Sequence, residues 1–556
     1  MSSTERSPDG PWASLGDFTT TWRLIPISFL AIAIGVLSAF VARALLALIG
    51  LFTNLFFFQR WDTAVASPAG HHLGYLVVLV PVVGGLLIGF MARFGSERIR
   101  GHGIPEALES IMLRGSRVEA KLALLKPISA AISIGSGGPF GSEGPIIMTG
   151  GAFGSLVAQA FKLTAAERKT LLVAGAAGGM TATFGTPIAA TLLAIELLLF
   201  EWKPRSFIPV ALATAAAMAA RNHMFETPPL FPVPHHADFF GVEGLLAAVV
   251  CGLGAGALSM LMTASVYLWE DVFKRLPVHW MWWPAIGGLV IGIGGLVDPH
   301  ALGVGYDSIQ GLLDGRMALG AIILLVVVKW TIWSFALGSG TSGGVLAPLL
   351  MIGGALGALE GHLLPFEGPG FWALISMGAI LAGTMRSPLT GIMFAAEVTH
   401  DWGSLLPLTI AGCIAHGMTV LLLRRSILTE KVARRGYHIT REYAIDPLEV
   451  LFVRDVFQAL DAPTAPPESS HPLAPEFSCH LDDTLRAVAY RMASSDVTVL
   501  PILDERGWFL GEVKLADVLK ARLRHLEEET RRERHIPVER FLPPFLRAPV
   551  RYTLDR

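Results

Sequence analysis

The sequence predicts an all-α polytopic membrane protein, built as two inverted-topology repeats of tilted and broken helices, with a small α/β domain after them. Three observations predict it. Of 556 residues, 52% are hydrophobic and only 16% charged, with a mean hydropathy of +0.55, a balance that water-soluble globular domains do not reach. The stretches Leu24 to Phe58, Tyr75 to Met91, Leu171 to Phe200, Gly241 to Leu268 and Leu319 to Leu337 are long and predominantly apolar, and each approaches or exceeds the roughly 20 residues that span hydrocarbon. Finally, the chain repeats itself.

In chain order, residues 1–23 are polar and mixed in charge, and the apolar stretch after them has no small-residue cleavage site, so they are expected to be a cytoplasmic tail rather than a signal peptide. The longest apolar stretches cannot stand upright in a bilayer; tilt and breaks accommodate them, because unpaired backbone is too costly in lipid. The 59 Gly and 35 Pro residues fall largely inside these regions, as interrupted helices require. Basic residues cluster at Arg93, Arg98 and Arg100, at Lys203 and Arg205, and at Arg424, Arg425, Lys431, Arg434 and Arg435. The positive-inside rule places these in the cytoplasm, with both termini inward.

The repeat is explicit. GSGGPFGSEGP (Gly135 to Pro145) matches GSGTSGGVLAP (Gly338 to Pro348) at an offset of 203, and TPIAATLLAIE (Thr186 to Glu196) matches SPLTGIMFAAE (Ser387 to Glu397) at 201. Gly-rich apolar helices resemble one another by composition, but composition does not fix two pairs at one period. Repeat halves of about 24–220 and 241–423 are therefore expected within a membrane domain of 24–437. They would pack around a shared midplane site marked by the Gly/Pro-interrupted segments.

Beyond about Leu423 hydropathy collapses, and residues 438–556 are assigned to a cytoplasmic domain and charged tail. Within it, Cys479 to Leu523 reads as helix, strand, turn, strand, helix, and Glu527 to Arg534 as a solvated charged helix. The net charge of -2 gives nucleic acid no purchase, and Cys251, Cys413 and Cys479 form neither a disulfide framework nor a zinc pattern. No HExxH, nucleophile elbow or zinc-ligand cluster occurs in the apolar region, so neither an enzyme nor a metal site is expected.

Three glycine-rich segments run straight into apolar helical sequence: GHGIPEALE from Gly101, GSEGPIIMTGG from Gly141 and GGVLAPLLMIGG from Gly343. Each puts proline in the first helical turn, where it loses no hydrogen bond, while the glycines leave neighbouring N–H groups uncovered. Free N–H groups at the positive end of a helix dipole make an anion site without a full positive charge. Such a site binds weakly enough to release its ion. One such segment alone reads as tight packing; three make Gly101, His102, Gly103 and Ile104, with Gly141, Ser142, Glu143 and Gly144, candidate anion ligands. Glu143 is the sharpest of them, because an ionisable residue inside apolar sequence is functional by default. Its carboxylate can occupy the anion site itself, or take a proton and swing away, which makes it a gate sensitive to pH and to anion concentration. A structural hydrogen bond is the competing reading.

These motifs resemble the ClC family of chloride channels and chloride/proton exchangers, from Leu24 to about Tyr437. GHGIPE is similar to the family's GSGIPE, GSEGP to GREGP or GKEGP, GGVLAP to GGIFAP, and RSPLTGIMFAAEVTHDW (Arg386 to Trp402) to its late signature. The resemblance implies a homodimer in the plasma membrane with one pathway per subunit, backbone amides near Val345, Leu346 and Ser142 to Gly144 holding chloride, and Glu143 as gating glutamate. The soluble part resembles a cystathionine-β-synthase (CBS) domain, a module that pairs and often binds adenine nucleotides; one copy is clear, with Arg454 in a remnant of another.

Four departures from the family pattern bear on mechanism. His102 stands where the family has an anion-contacting serine, and its imidazole would make conduction pH dependent if it faced the ion; the other reading turns it to the cytoplasmic vestibule. Leu428 replaces a tyrosine whose hydroxyl coordinates the anion. Leu197 replaces an internal proton-carrying glutamate; Glu201, one helical turn on and on the same face, reads first as an interfacial residue near Trp202 and Lys203, with a proton relay in place of the missing acid as the alternative. Ser142 replaces a basic residue beside the gate. The reading is a passive anion channel, with a proton-coupled antiporter as the alternative and a non-conducting membrane sensor as a remote one.

Overall fold

The computed structural model of the chain describes residues 20–225, 229–234, 241–364, 368–436, 451–457, 478–504 and 508–532, with 18 and 448. Residues 1–17 and 19 of the polar N-terminal tail, and Tyr437, lie outside these residues. The chain divides into two units, 1–441 and 442–556.

The first half of the membrane unit comprises α1 (Leu24–Phe58), α2 (Leu79–Phe90), α3 (Ile104–Leu113), α4 (Ala120–Gly135), α5 (Glu143–Gln159), α6 (Ala165–Phe184), α7 (Pro187–Leu193) and α8 (Pro204–Met224). The second half repeats the order with α9 (Gly241–Arg275), α10 (Trp283–Val297), α11 (Tyr306–Leu313), α12 (Leu319–Gly338), α13 (Leu346–Glu360), α14 (Pro369–Met385), α15 (Pro388–Thr399) and α16 (Leu405–Leu422). A short α17 (Ile427–Ala433) follows. Proline opens several of these helices, where its fixed φ is an asset. The mates α1 and α9 have 35 residues each; at about 1.5 Å per residue they outrun a hydrocarbon core of about 30 Å and must lie tilted. Among the described residues six helices are long and apolar enough to cross a membrane. In contrast α3, α5, α11 and α13 are short or begin inside the protein: every residue from 129 to 152 and from 341 to 355 is buried.

The two halves run in opposite directions. Helix α7 passes through a wider turn, Ala194–Leu199, that carries Glu196. The Glu196 carboxylate accepts from the backbone N–H of Leu389 (3.2 Å) and Thr390 (2.8 Å) and from the Thr390 hydroxyl (2.6 Å), at the start of α15. Reciprocally, Glu397 near the end of α15 accepts from Ile188 N–H (3.0 Å) and Ala189 N–H (2.7 Å) at the start of α7. Each carboxylate caps the opposite helix, where the dipole favours it. Since α7 and α15 hold equivalent places in the repeats, their antiparallel contact is the inverted topology read at residue level.

Two lysines show the same symmetry. Lys126 on α4 donates to the carbonyls of Ile99 (2.8 Å) and Gly101 (2.7 Å), and Lys329 on α12 to those of Ala301 (2.9 Å) and Gly303 (2.8 Å); both side chains are fully buried. Lys126→Met is expected to lower the thermal unfolding midpoint of the detergent-solubilised protein, because each orphaned carbonyl costs about 1–3 kcal/mol. An unchanged melting curve would mean that water replaces the ammonium.

In the second unit, strands Val499–Leu503 and Phe509–Lys514 pair antiparallel between helices Leu485–Ser494 and Leu515–Arg532, in the order read from the sequence. Leu485, Val488, Leu500, Ile502, Val513 and Val518 form the core of this small α/β unit. Burial pushes the Cys479 thiol in the same core up to about 12, so it stays protonated.

Candidate functional site

The candidate anion ligands converge where backbone meets backbone. A Cβ on Gly103 would lie 2.5 Å from the Gly144 carbonyl oxygen; one on Gly144 would lie 1.8 Å from the His102 carbonyl oxygen and 3.2 Å from Gly344 Cα. Gly141 and Gly344 exchange two hydrogen bonds, of 3.3 and 2.9 Å, and Gly101 bridges Ser342. The starts of α3, α5 and α13 thus face one centre, and only glycine permits the approach.

Glu143 is fully buried at the first position of α5. Its Oε1 accepts from the Ala347 N–H at 3.2 Å, while Oε2 has no hydrogen-bond partner. Ala347 follows Leu346 in the first turn of α13, where amides lack intrahelical acceptors. The slot holding the carboxylate is made by two glycines, since a Cβ on Gly141 or Gly344 would lie 1.8 or 2.6 Å from Oε2. A negatively charged oxygen therefore rests against the amide end of a helix, as a small anion would. The donor is one residue beyond the expected Val345 and Leu346, both of which are buried at the same helix start.

His102 is only 3% exposed, and its Nδ1 has no hydrogen-bond partner. Glu106, Lys126, Lys431 and Arg435 surround it electrostatically. Glu106 pairs with Lys431 at 2.8 Å and Arg435 at 3.6 Å, tying α3 to α17. Glu106 also accepts from Gly103 N–H at 2.8 Å and so fixes the loop that carries His102. Ile104 is buried, as is Leu428 on α17. The Tyr267 hydroxyl donates to the Ile427 carbonyl at 2.5 Å and thereby holds α17.

Glu201 does not share the helical face of Leu197. The chain leaves the helix at Phe200, whose φ of 52° is left-handed, so no helical face carries Glu201 beneath Leu197. Its carboxylate accepts from the Ser206 hydroxyl at 2.6 Å and pairs with Lys169 (3.3 Å) and Arg205 (3.6 Å). Leu197 is fully buried.

A fourth segment escaped the sequence reading. Gly303-Val-Gly-Tyr306, before α11, is the repeat mate of Gly101 to Ile104 at an offset of 202. Gly305 adopts a left-handed φ of 77° at the helix start, as Gly103 adopts 91° at the start of α3. It has no early proline, and the period was its signal, as it was for Lys126 and Lys329.

Residues 84–419 match the family model described as voltage gated chloride channel. A putative chloride channel protein ClcB-like of Ralstonia nicotianae is 29% identical over 352 residues, spanning 62% of this chain and 82% of that relative. The H(+)/Cl(-) exchange transporter ClcA of Salmonella paratyphi A is 32% identical over 351 residues, 60% of this chain and 72% of its own. In structure, the chain resembles a slow cyanobacterial Cl-/H+ antiporter with a TM-score of 0.66 at 21% identity, covering 74% of this chain and 97% of that one.

Proposed function

From the premise that this chain belongs to the voltage gated chloride channel (ClC) family, whose work is moving anions across membranes, we propose that it exchanges chloride for protons, with Glu143 as the shared gate. One observation carries the reading: the Glu143 carboxylate lies against the Ala347 N–H in a slot of glycine backbone. Anion and carboxylate compete for that place, so an anion enters only when the carboxylate leaves. Protonation removes the charge that the helix end attracts and lets the side chain go. Each exchange of occupants then moves an anion one way and a proton the other. The exchange activity in the name of the Salmonella relative supports this reading over the passive channel that Leu197 suggests.

Leu197 nevertheless favours the channel as a second reading, and with Glu201 held by two cations the inner proton route in an exchanger is assigned to water. The deciding experiment loads liposomes with purified protein and chloride, imposes an outward chloride gradient, and records chloride efflux and external pH with and without a proton ionophore. Protons driven uphill as chloride leaves are the expected result. Chloride leaving without them makes the protein a channel, and no flux of either removes chloride as the substrate.

The protein is a multi-pass membrane protein. Its placement in the plasma membrane with both termini cytoplasmic, a homodimeric assembly, and adenine nucleotide at the CBS-like unit belong to the same proposal. His102→Ser is expected to raise the preference for chloride over nitrate by about ten-fold, the worth of one hydrogen bond to a charged group. Identical selectivity in flux assays would place the imidazole off the pathway.

A further inference from the structure

Buried hydroxyls without partners are expensive, about 1–3 kcal/mol each, and two of them meet beside Glu143. Ser142 is fully buried and its Oγ has no hydrogen-bond partner; the Tyr306 hydroxyl oxygen is buried without one either. The two face one another but make no hydrogen bond of acceptable geometry. The unpartnered Oε2 of Glu143 belongs to the same neighbourhood.

The surroundings favour a negative guest. Ser142 is the N-cap of α5 and Tyr306 the first residue of α11, so two helix starts aim their positive ends here. Lys329, held on the Ala301 and Gly303 carbonyls, is the cation whose field reaches Glu143. The Tyr306 ring is fixed edge-on against Phe231, with centroids 5.7 Å apart, so its hydroxyl is aimed in advance. The same ring lines an open cleft of about 490 Å³ with Phe231, Asp307, Gln310, Asp314 and Arg316. Tyr306 therefore borders both the open cleft and the buried surroundings of Glu143. In the cleft Arg316 is paired with Asp314 at 3.6 Å, which leaves hydroxyl donors rather than a free cation to receive an entering ion.

We infer that the hydroxyls of Ser142 and Tyr306 form an additional site for a small inorganic anion, between the cleft and the Glu143 slot. The inference rests on the proposed anion transport through that slot. The ionised Glu143 opposes a second negative charge so near, so the site fills as the carboxylate is protonated or displaced. It is the first dehydrated station for an anion entering from the cleft.

Chloride dependence of flux, measured with the full chain in liposomes, tests it. Tyr306→Phe is expected to raise the chloride concentration for half-maximal flux about ten-fold, as loss of one hydrogen bond to an anion should. Ser142→Ala should move half-saturation the same way. Half-saturation unchanged in both variants would assign the hydroxyls to water and overturn the site while leaving anion transport standing. A lower maximal flux with unchanged half-saturation would overturn it too. No chloride flux through the unmodified chain would remove the transport reading and the site together. If a variant reconstitutes poorly, chloride-dependent thermal stabilisation in detergent supplies the readout: Tyr306→Phe should need about ten-fold more chloride for the same rise, and an equal requirement would overturn the site.

Discussion

Glu143→Gln should leave chloride flux running while uphill proton movement disappears and the dependence on external pH flattens. Glutamine has the shape of the protonated acid, so it cannot be driven into or out of the slot by a proton. The wild-type carboxylate accepts the Ala347 N–H at 3.2 Å, at the positive end of α13. A hydrogen bond to a charged group is worth about 1.5–3 kcal/mol, so neutralising it lowers slot occupancy by roughly ten- to a hundred-fold in favour of the anion. Chloride efflux and external pH recorded together check this. A variant that still pumps protons, or that keeps the wild-type pH profile, would dismiss Glu143 as the gate.

Gly144→Ala should cut transport by about a hundred-fold, the order that a 1 Å misplacement costs a positioned site. Its new methyl would lie 1.8 Å from the His102 carbonyl oxygen and 3.2 Å from Gly344 Cα, and neither is a side chain that can turn aside. The starts of α3 and α5 must separate, at an overpacking cost of about 1–3 kcal/mol. Gly141→Ala is the control. There the three atoms nearest the methyl all belong to the end of the Glu143 side chain, with Oε2 at 1.8 Å, and that end can move. That variant should therefore conduct without coupling, like Glu143→Gln. Equal loss of flux in both glycine variants would refute the distinction between a backbone wall and a displaceable gate.

The fold was legible because repetition and punctuation are sequence-level quantities. Matched glycine-proline starts at one period announced α5 and α13 before any coordinates, and Thr186 to Glu196 with Ser387 to Glu397 announced α7 and α15. The start of α11 was missed because Tyr306 follows its glycines where proline was the cue. The same-face register of Glu201 with Leu197 fails because a regular 3.6-residue turn does not continue there; the wider turn over Ala194–Leu199 and the left-handed Phe200 end it. The pairing of Lys126 and Lys329 with loop carbonyls was encoded only in their common offset, since a lone lysine in sequence says nothing of what it will hold. The aim of the Ser142 and Tyr306 hydroxyls is a rotamer property, set by neighbours far away in the chain.

The reciprocal capping of α7 and α15 by Glu397 and Glu196 limits how this machine works. Swinging one half against the other, as many transporters with inverted repeats do, would tear five hydrogen bonds to two carboxylates. At about 1.5–3 kcal/mol each, that is a barrier comparable to unfolding a small domain. The moving part must then be light: a single side chain swinging on its own torsions, far faster than the microsecond-to-millisecond rocking of whole domains. On the proposed mechanism, turnover is timed by a carboxyl group and its proton, with the scaffold standing still.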